Sequence, residues 1–541
     1  MSVTVEKEGK VGRIQPYDMS GVFRGDDGIL HYEGLHQSLV EMLKETTERV
    51  PDREAVTEIG GPSLTYREYF DRAARVAGGL AAAGVERGDR VAIRLPNGVD
   101  WAVAFFGSLM AGAIVIPVNT RFAEPEIKYV LEDSQAKHVF MPGEDLPDGD
   151  PLVFDDLAPD DVAAIFYTSG TTGQPKGAMT THENFLSNIE TCLRSSFQGA
   201  DEGVRMLISV PLFHVTGCNS QLLVTARLGV PSVILPVFNV KDLLKAIVEY
   251  RTDCVVGTPA IFWLAVNQPN FKDLDVSHVR WAIYGGAPMP PDQVIQMMKD
   301  FPNARLGNGY GLTETSSVTT FLPHESCKDR PETVGFASPV AELRLEDAGF
   351  EGGAGELLVR SPQVVAGYWR KEEETAKALV DGWLHTGDVA TIDEDGYVRI
   401  VDRKKELIIT AGGKNVSPAN MESLLKRNPL VGQAAVIGDR RSYLTALIVL
   451  DPDAARAWAA VHGVSADYLH DLAKQPPMLA AMQSAVDSAN AEVSQAEQVR
   501  KFRLLPAEWT AESGELTPTL KLKRRVIAER YAAEIEELYC H

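Results

Sequence analysis

The stretch of sequence that decides the fold reads Val162-Ala-Ala-Ile-Phe-Tyr-Thr-Ser-Gly-Thr-Thr-Gly-Gln-Pro-Lys-Gly177. Its apolar start predicts a buried strand. The glycines and hydroxyls that follow predict a loop whose backbone N–H groups and side chains can wrap phosphates, with Lys176 adding a positive charge. The loop is not a Walker A motif, because the G-x-x-x-x-G-K-[ST] spacing is absent and a proline precedes the lysine. The segment therefore predicts a phosphate-binding loop of another kind.

On both sides of this loop, short apolar strands alternate with amphipathic helical stretches. Residues 73–84 are typical of a helix closed by a glycine, and residues 90–95 of a strand. Further strands are predicted at 206–210, 232–235, 254–256 and 281–284. Strands separated by helical stretches indicate a parallel α/β sheet.

The pattern of residues changes twice toward the C-terminus. Residues 334–401 contain short strands between Gly- and Asp-rich turns, and a charged turn at 402–405 precedes a helical, Ala-rich stretch at 453–498. We expect the whole charged turn to be exposed. We therefore expect an α/β protein with three parts. A large N-terminal domain (residues 1–402) would hold parallel α/β sheets and a small β subdomain. A hinge at 403–405 would lead to a smaller, mobile α+β C-terminal domain (406–541).

One uncharged stretch, residues 101–118, has the length of a membrane span. Gly107, Gly112 and Pro117 interrupt it, so we expect a helix, a glycine turn and a buried strand instead. The five separated cysteines contain no C-x-x-C pair, which is typical of a reducing cytoplasm and favours neither disulfides nor a zinc site. The first residues lack the apolar segment of a signal peptide. We predict a cytoplasmic protein without a transmembrane segment.

The net charge of the chain disfavours one class of binding partner. Acidic side chains number 75 against 53 basic ones, which gives a net charge of −22. Such a surface repels the phosphates of a nucleic acid, so we expect no nucleic-acid partner. Small anions can still bind where local donors and a metal ion meet them. A homodimer is left open.

Residues 167–177 resemble the signature of the adenylate-forming superfamily. This superfamily includes acyl-CoA synthetases, aryl-CoA ligases, firefly luciferase and the adenylation domains of nonribosomal peptide synthesis. The resemblance runs from about residue 35 to the C-terminus, and further motifs follow in the family's order. They are Pro211-Leu-Phe-His-Val-Thr-Gly217, Tyr284-Gly-Gly-Ala-Pro288, Asn308-Gly-Tyr-Gly-Leu-Thr-Glu314, Gly382-Trp-Leu-His-Thr-Gly-Asp388 and Gly514-Glu-Leu-Thr-Pro-Thr-Leu-Lys521.

The resemblance implies a nucleotide site and a role for each of its residues. The phosphate loop would use Thr168, Ser169, Gly170, Thr171, Thr172, Gly173 and Lys176. Adenine would lie against Gly285, Gly286, Ala287, Asn308 and Gly309, with Tyr310 stacked on the base. Thr313 would bind the α-phosphate, and Glu314 would hold Mg²⁺ with Thr168 in the same cluster. Asp388 would bind the ribose hydroxyls with the help of Arg403.

The resemblance also implies an acid pocket, a coenzyme A approach and a moving catalytic group. His214, Gly217, Gly257 and Gly311 would border the acid or coenzyme A, and Gly412 and Gly413 would let the pantetheine arm approach. Lys405 falls at the hinge position. Lys521 would be the catalytic lysine, and Lys523 is the alternative in case of a two-residue slip.

These residues suit one reaction sequence. A carboxylate is a poor electrophile until it is joined to AMP, and its attack on an anionic α-phosphate is opposed by charge repulsion. Mg²⁺ and Lys521 would balance that charge without a covalent enzyme nucleophile. The resemblance thus implies a ligase that uses ATP and Mg²⁺ to form an acyl-AMP, then transfers the acyl group to coenzyme A.

The resemblance implies a fatty or other hydrophobic carboxylic acid as the substrate, but which acid it is stays open at this point. The C-terminal third is most similar to long-chain fatty acyl-CoA synthetases, whereas the N-terminal half is similar to aryl- and medium-chain ligases. The alternatives are an acyl-AMP ligase that hands a bulky or aromatic acid to a carrier protein or separate acceptor, a luciferase-like oxygenase, and a non-catalytic binding module. The last is disfavoured because the phosphate loop, Glu314 and Lys521 are all present.

Overall fold

The computed structural model describes residues 5–6, 15–168, 174–287, 289–346, 353–411, 415–464, 469–506, 508–510, 512–516 and 522–540. The chain divides into two compact units. The first comprises Met1–Leu345, Leu358–Thr386 and Ile392–Val398, and the second comprises Glu346–Leu357, Gly387–Thr391 and Arg399–His541.

A nine-stranded sheet forms the centre of the first unit. Its central strands are parallel, as predicted, while both edges are antiparallel. In pairing order the strands are Phe336–Ala337, Thr320–Leu322, Arg305–Tyr310, Trp281–Gly285, Cys254–Gly257, Met206–Ile208, Ser232–Ile234, Glu54–Glu58 and Ser63–Thr65. The four strands predicted between residues 206 and 284 all lie in this sheet. Their continuous apolar runs reflect burial on both faces.

A five-stranded sheet carries the predicted phosphate loop at its edge. Its order is Lys176–Thr181, Val162–Thr168, Ile114–Pro117, Arg90–Ile93 and Ala136–Phe140. Lys176–Thr181 pairs antiparallel with Val162–Thr168, whereas the other pairs are parallel. The strands on either side of the predicted loop therefore pair as a hairpin, whereas a Walker A loop leads from a strand into a helix.

The uncharged stretch at 101–118 folds as predicted. Helix Val99–Met110 is almost fully buried, Gly112 follows with φ +72°, and strand Ile114–Pro117 enters the five-stranded sheet. Stacked and edge-on aromatic rings, among them Trp101, Phe105 and Phe106, fill the core around this helix. Among the helices of the described residues, none is both long and apolar enough to cross a membrane.

The helix predicted at 73–84 begins earlier, at Tyr66, and spans Tyr66–Ala82. Thr65 and Glu68 form a capping box, since each side chain accepts the other's backbone N–H, and this fixes the start. The other helices and helical turns of the first unit are Leu39–Arg49, Glu124–Ser134, His182–Arg194, Val215–Gly217, Cys218–Leu222, Leu223–Leu228, Val240–Glu249, Pro259–Val266, Phe271–Asp273, Pro291–Asp300, Thr313–Thr315, His324–Cys327 and Glu372–Ala378.

A third sheet contains the short strands expected of the β subdomain. Its order is Val5–Glu6, Glu342–Glu346, Gly355–Arg360, Trp383–Ile392 and Leu379–Val380, and Val398–Arg403 also pairs with Trp383–Ile392. A separate hairpin joins Val22–Arg24 to Leu30–Tyr32.

The second unit has the predicted α+β composition after residue 399. Strands Val431–Ile437, Leu444–Leu450 and Val499–Leu505 form its main sheet, and Ile408–Ile409 pairs with Asn415–Val416. In its described parts, the Ala-rich stretch at 453–498 forms three separate helices, and prolines begin two of them. The helices of this unit are Pro418–Leu425, Pro452–His462, Leu469–Leu472, Pro476–Asn490, Arg524–Arg530 and Ala532–Tyr539.

Candidate active site

Four neighbouring parallel strands of the nine-stranded sheet end at the same edge. They are Met206–Ile208, Cys254–Gly257, Trp281–Gly285 and Arg305–Tyr310. The predicted acid motif follows the first, Gly257 ends the second, and the two predicted adenine motifs end the third and fourth. Ligands of open α/β sheets bind outside the carboxyl ends of the strands. Three motifs and Gly257, spread over about a hundred residues of sequence, thus meet where such a ligand would lie.

The two predicted adenine motifs are direct neighbours. In the register of their strands, Tyr284 faces Asn308 and Gly285 faces Gly309. A Cβ at Gly285 would lie 2.3 Å from the Gly309 carbonyl oxygen, so the close approach of these strands requires glycine. Tyr310 is half-buried at the strand end. The buried Asn308 amide donates to the Thr333 carbonyl at 3.1 Å, which gives this side chain a structural bond as well.

The predicted acid motif begins the helical segment after strand Met206–Ile208. His214 caps the short helix Val215–Gly217, and its Nδ1 accepts a hydrogen bond from the Thr216 N–H at 3.4 Å. Asn97 holds the start of the motif, since its Oδ1 accepts from the Leu212 N–H at 2.8 Å. The imidazole is half-buried.

The ends of the phosphate-loop hairpin lie side by side. Thr168 and Lys176 are direct partners in the antiparallel register, and both side chains are half-buried. The predicted loop residues Ser169, Gly170, Thr171, Thr172 and Gly173 lie outside the described residues.

A tyrosine that the sequence analysis did not single out joins this hairpin to Glu314. The Tyr368 hydroxyl donates to Glu314 Oε1 at 2.7 Å, and the Lys176 ammonium lies 5.2 Å from the centre of the Tyr368 ring. Backbone bonds hold the segment in place: Met179 N–H donates to Gly367 O and Trp369 N–H donates to Gly177 O. The only hint in the sequence is an aromatic pair directly after a glycine, Gly367-Tyr-Trp369.

Thr313 and Glu314 lie on the helical turn Thr313–Thr315, and both are half-buried. The Glu314 carbonyl accepts from the Val365 N–H at 3.0 Å. Gly311, predicted to border the substrate, also has a packing role, because a Cβ there would lie 1.4 Å from the Ser317 carbonyl oxygen.

In the second unit, Asp388 and Arg403 form an ion pair. Arg403 Nε lies 2.9 Å from Asp388 Oδ1, and the carboxylate side chain is 4% exposed while the guanidinium is 49% exposed. The two residues lie on the paired strands Trp383–Ile392 and Val398–Arg403. The structure therefore brings together the aspartate and the arginine that were predicted to act on the ribose.

The charged turn at 402–405, which was expected to be exposed, is exposed only in part. Arg403, Lys404 and Lys405 are exposed, but Asp402 is 6% exposed and accepts from Ser417 Oγ at 2.6 Å. Burial raises the pKa of Asp402. The exposed character expected of the whole turn was thus wrong for Asp402, which anchors the start of helix Pro418–Leu425. The domain boundaries and the hinge role of Lys405 stay predictions.

The described part of the C-terminal motif is fixed by ion pairs. Arg524 donates to both oxygens of the buried Glu422 at 2.5 and 2.8 Å, and to Glu406 at 3.2 Å. Lys523 immediately precedes helix Arg524–Arg530. Lys521, Gly412 and Gly413 lie outside the described residues, so their predicted roles stay predictions.

Two family comparisons cover most of the chain. The family described as AMP-binding enzyme matches residues 43–153 and 143–369. The family described as AMP-binding enzyme C-terminal domain matches residues 405–541.

Individual relatives also align with most of this chain. A long-chain-fatty-acid–CoA ligase, FadD15, of Mycobacterium bovis is 31% identical over 606 aligned residues, covering 94% of this chain and 98% of that protein. A feruloyl-CoA synthase of an Amycolatopsis species is 36% identical over 403 residues, covering 70% of this chain and 81% of that protein.

Solved structures share the fold. A Mycobacterium tuberculosis fatty acyl CoA synthetase, 27% identical, aligns with a TM-score of 0.67 over 92% of this chain and 99% of its own. The O-succinylbenzoate coenzyme A synthetase of Bacillus subtilis, solved with ATP and a magnesium ion, is 25% identical and aligns with a TM-score of 0.74 over 90% of this chain and 98% of its own. The predicted fold class and family resemblance are thus confirmed, and the chain belongs to the AMP-binding enzyme family.

Proposed function

We propose that this protein is an ATP-dependent acid–CoA ligase. A hydrophobic carboxylate attacks the α-phosphorus of ATP, pyrophosphate leaves, and an acyl-AMP forms. The thiol of coenzyme A then attacks the acyl carbon, AMP leaves, and the acyl-CoA thioester forms as the thiol gives up its proton. The observation that carries the proposal is the common edge of four parallel strands, where the acid motif meets both adenine motifs.

The nucleotide phosphates would lie between the hairpin and Glu314. Lys176 supplies a positive charge at the hairpin, and its contact with the Tyr368 ring restricts where the ammonium can lie. The hydroxyl of the same tyrosine holds one oxygen of Glu314, and the other oxygen would bind a ligand. Cationic and oriented groups of this kind lower the barrier to phosphoryl-type transfer because they balance charge that builds up in the transition state.

Glu314 and Thr168 would hold Mg²⁺. Their carboxylate and hydroxyl oxygens are the hard donors that this ion prefers, and Mg²⁺ usually binds through one or two carboxylates together with substrate phosphates. When bound, the ion would neutralise phosphate charge. Asp388, held by Arg403, would accept hydrogen bonds from the ribose hydroxyls through the carboxylate oxygens.

We propose a fatty acid as the substrate, with an arylpropenoic acid as the second class. The support is that relatives aligned with 70% or more of this chain are named for long-chain fatty acids and for ferulate. Lys521 is proposed as the catalytic lysine of adenylation. Lys405 is proposed as the hinge about which it withdraws before the thiol approaches.

Pyrophosphate exchange tests the first half-reaction. The protein, ATP and Mg²⁺ would be incubated with labelled pyrophosphate and one of four acids: dodecanoate, palmitate, ferulate or benzoate. We expect acid-dependent label in ATP, strongest with one of the fatty acids, and loss of exchange in Glu314→Gln. The matched control is Glu332→Gln, an exposed glutamate of the same unit. No exchange with any acid would overturn the proposal.

Addition of coenzyme A tests the second half-reaction. Thioester detected by mass spectrometry at a rate comparable to exchange supports the ligase. Rapid exchange without thioester would refute the coenzyme A step and favour the alternative in which the acyl-AMP passes to a carrier protein.

A further inference from the structure

A run of polar side chains is buried inside the apolar core of the first unit. The helical segment that follows the acid motif passes through one π-helical turn, Cys218–Leu222. Within it, Asn219, Ser220 and Gln221 are 0%, 5% and 0% exposed. Buried polar groups cost free energy unless they are hydrogen-bonded, and π-helical turns are rare and frequent at functional sites. Apolar packing alone therefore does not explain this turn.

Two of these side chains bond to the backbone turn that follows Glu314. Asn219 Nδ2 donates to the Ser316 carbonyl at 2.8 Å, and Ser220 Oγ donates to Ser317 Oγ at 2.6 Å. Ser316 and Ser317 are also buried, at 0% and 7% exposed. The π-helical turn is thus bonded, through groups shielded from water, to residues two and three positions after Glu314.

The turn that they hold has an unfavourable backbone conformation. Ser316 has φ +56° and Ser317 has φ +122°, values that residues other than glycine rarely adopt. Such residues persist only where their surroundings hold them. Here Gln363 adds to the restraint, because its carbonyl accepts from Ser316 Oγ at 2.8 Å and its amide donates to Val318 O at 2.7 Å. A strained, fully restrained turn fixes the position of the residues just before it.

We propose that Asn219 and Ser220 are positioning residues that couple binding of the acid to binding of the metal–nucleotide. This inference rests on the proposed function, in which the 211–217 motif borders the acid and Glu314 holds the metal. A shift of the helical segment when the acid enters is transmitted through the two buried hydrogen bonds to Ser316 and Ser317, and from there to the Glu314 carboxylate. By linkage, the acid and the nucleotide then raise each other's affinity by the same factor.

Binding measurements on the full chain test this coupling. The probes are dodecanoate or ferulate, whichever supports pyrophosphate exchange, and Mg²⁺ with α,β-methylene-ATP, whose α–β linkage cannot be cleaved. Calorimetry gives the affinity for the acid with and without the nucleotide analogue. We expect the analogue to raise acid affinity about 5- to 150-fold in the wild type, the usual range of coupling between sites. In Asn219→Ala the factor should fall close to one, with each ligand still binding by itself.

A second variant and a control separate coupling from stability. Ser317→Gly removes the Ser220 bond yet suits φ +122°, so it should fold and lose part of the coupling. The control is Ser232→Ala, which removes a buried hydroxyl pair with Thr225 (2.5 Å) in the same unit without touching the 316–317 turn. It should lower the melting temperature and keep the wild-type coupling.

Each outcome decides a different question. Wild-type coupling in both Asn219→Ala and Ser317→Gly overturns the inference, as does a wild type without coupling. Should Asn219→Ala not fold, Ser317→Gly decides alone. A wild type that exchanges pyrophosphate with no acid refutes the proposed function instead.

Discussion

Removing the hydroxyl of Tyr368 tests whether this tyrosine holds the Glu314 carboxylate ready for a metal. In Tyr368→Phe the ring and its contact with Lys176 remain, and the 2.7 Å hydrogen bond to Glu314 Oε1 is lost. A hydrogen bond to a charged group contributes about 1.5–3 kcal/mol. Both side chains are half-buried, so the lower end applies. With about 1.4 kcal/mol per factor of ten, adenylation should fall roughly tenfold.

The assay is pyrophosphate exchange at a series of Mg²⁺ concentrations. We expect the Mg²⁺ concentration at half-maximal rate to rise in Tyr368→Phe, because a freely rotating carboxylate must be ordered when the ion binds. Tyr368→Leu also removes the contact with Lys176, which adds about 0.5–1 kcal/mol, or a further two- to fivefold.

The matched control is Tyr443→Phe. Tyr443 also lies under a lysine, with Lys501 Nζ 5.8 Å from its ring centre, and its hydroxyl donates to Leu538 O at 2.9 Å. It should leave the Mg²⁺ dependence of adenylation unchanged. If Tyr368→Phe has the wild-type rate and the wild-type Mg²⁺ dependence, the hydroxyl does not position Glu314 and the reasoning is refuted.

Four further predictions concern other parts of the chain. Asp388→Asn should raise the KM for ATP about tenfold or more, because a charged acceptor for the ribose hydroxyls is lost. Steady-state kinetics with varied ATP measures this KM, and an unchanged value would contradict the ribose role. Lys405→Pro should slow thioester formation much more than adenylation; equal slowing in single-turnover assays contradicts the hinge. Burial lowers the pKa of His182 from 6.5 to about 4, so the unfolded chain takes up a proton first and stability is lost as pH falls from about 6.5 toward 4. His182 should account for about 3 kcal/mol of the loss measured by urea unfolding, so His182→Gln should lose less over that window; equal losses would exclude His182 as a cause. Arg524→Met should destabilise the second unit by about 3–5 kcal/mol because Glu422 is left buried without its partner, and the double variant with Glu422→Leu should recover much of this in urea unfolding; no recovery would argue against the ion pair as the origin.

The sequence predicted the parallel centre of the first unit well, and for a physical reason. Strands buried on both faces are continuous apolar runs. Two of these strands carry glycines toward their ends, Gly285 and Gly309, because the two backbones approach closely there. The glycines and charged residues of the site lie at the ends of these strands or directly after them in the sequence, so the site could be placed at the strand ends. The antiparallel return strand Lys176–Thr181 was not predicted, because Lys, Gly and Thr next to a loop are equally typical of its continuation.

The parts missed depend on contacts between distant segments. Tyr368 reaches Glu314 across 54 positions, and it does so only because its segment pairs with the return strand at Gly177 and Met179. No local pattern contains that pairing. Asp402 was expected to be exposed because it belongs to a run of charged residues, yet its carboxylate is buried and accepts a hydrogen bond from Ser417 Oγ. Charge alone does not show which member of such a run is buried.

The order of strands in the nine-stranded sheet has a consequence for synthesis on the ribosome. Glu54–Glu58 is made early, but its parallel neighbour Ser232–Ile234 follows only after more than 170 further residues. At the usual 5–20 residues per second this gap lasts roughly 10–35 s. During it, Ser63–Thr65 is the one described strand with which the early strand can pair. The edge that gathers Gly257 and the three motifs is complete only once Tyr310 has been made, so nucleotide at the proposed site cannot stabilise a nascent chain before more than half of it exists.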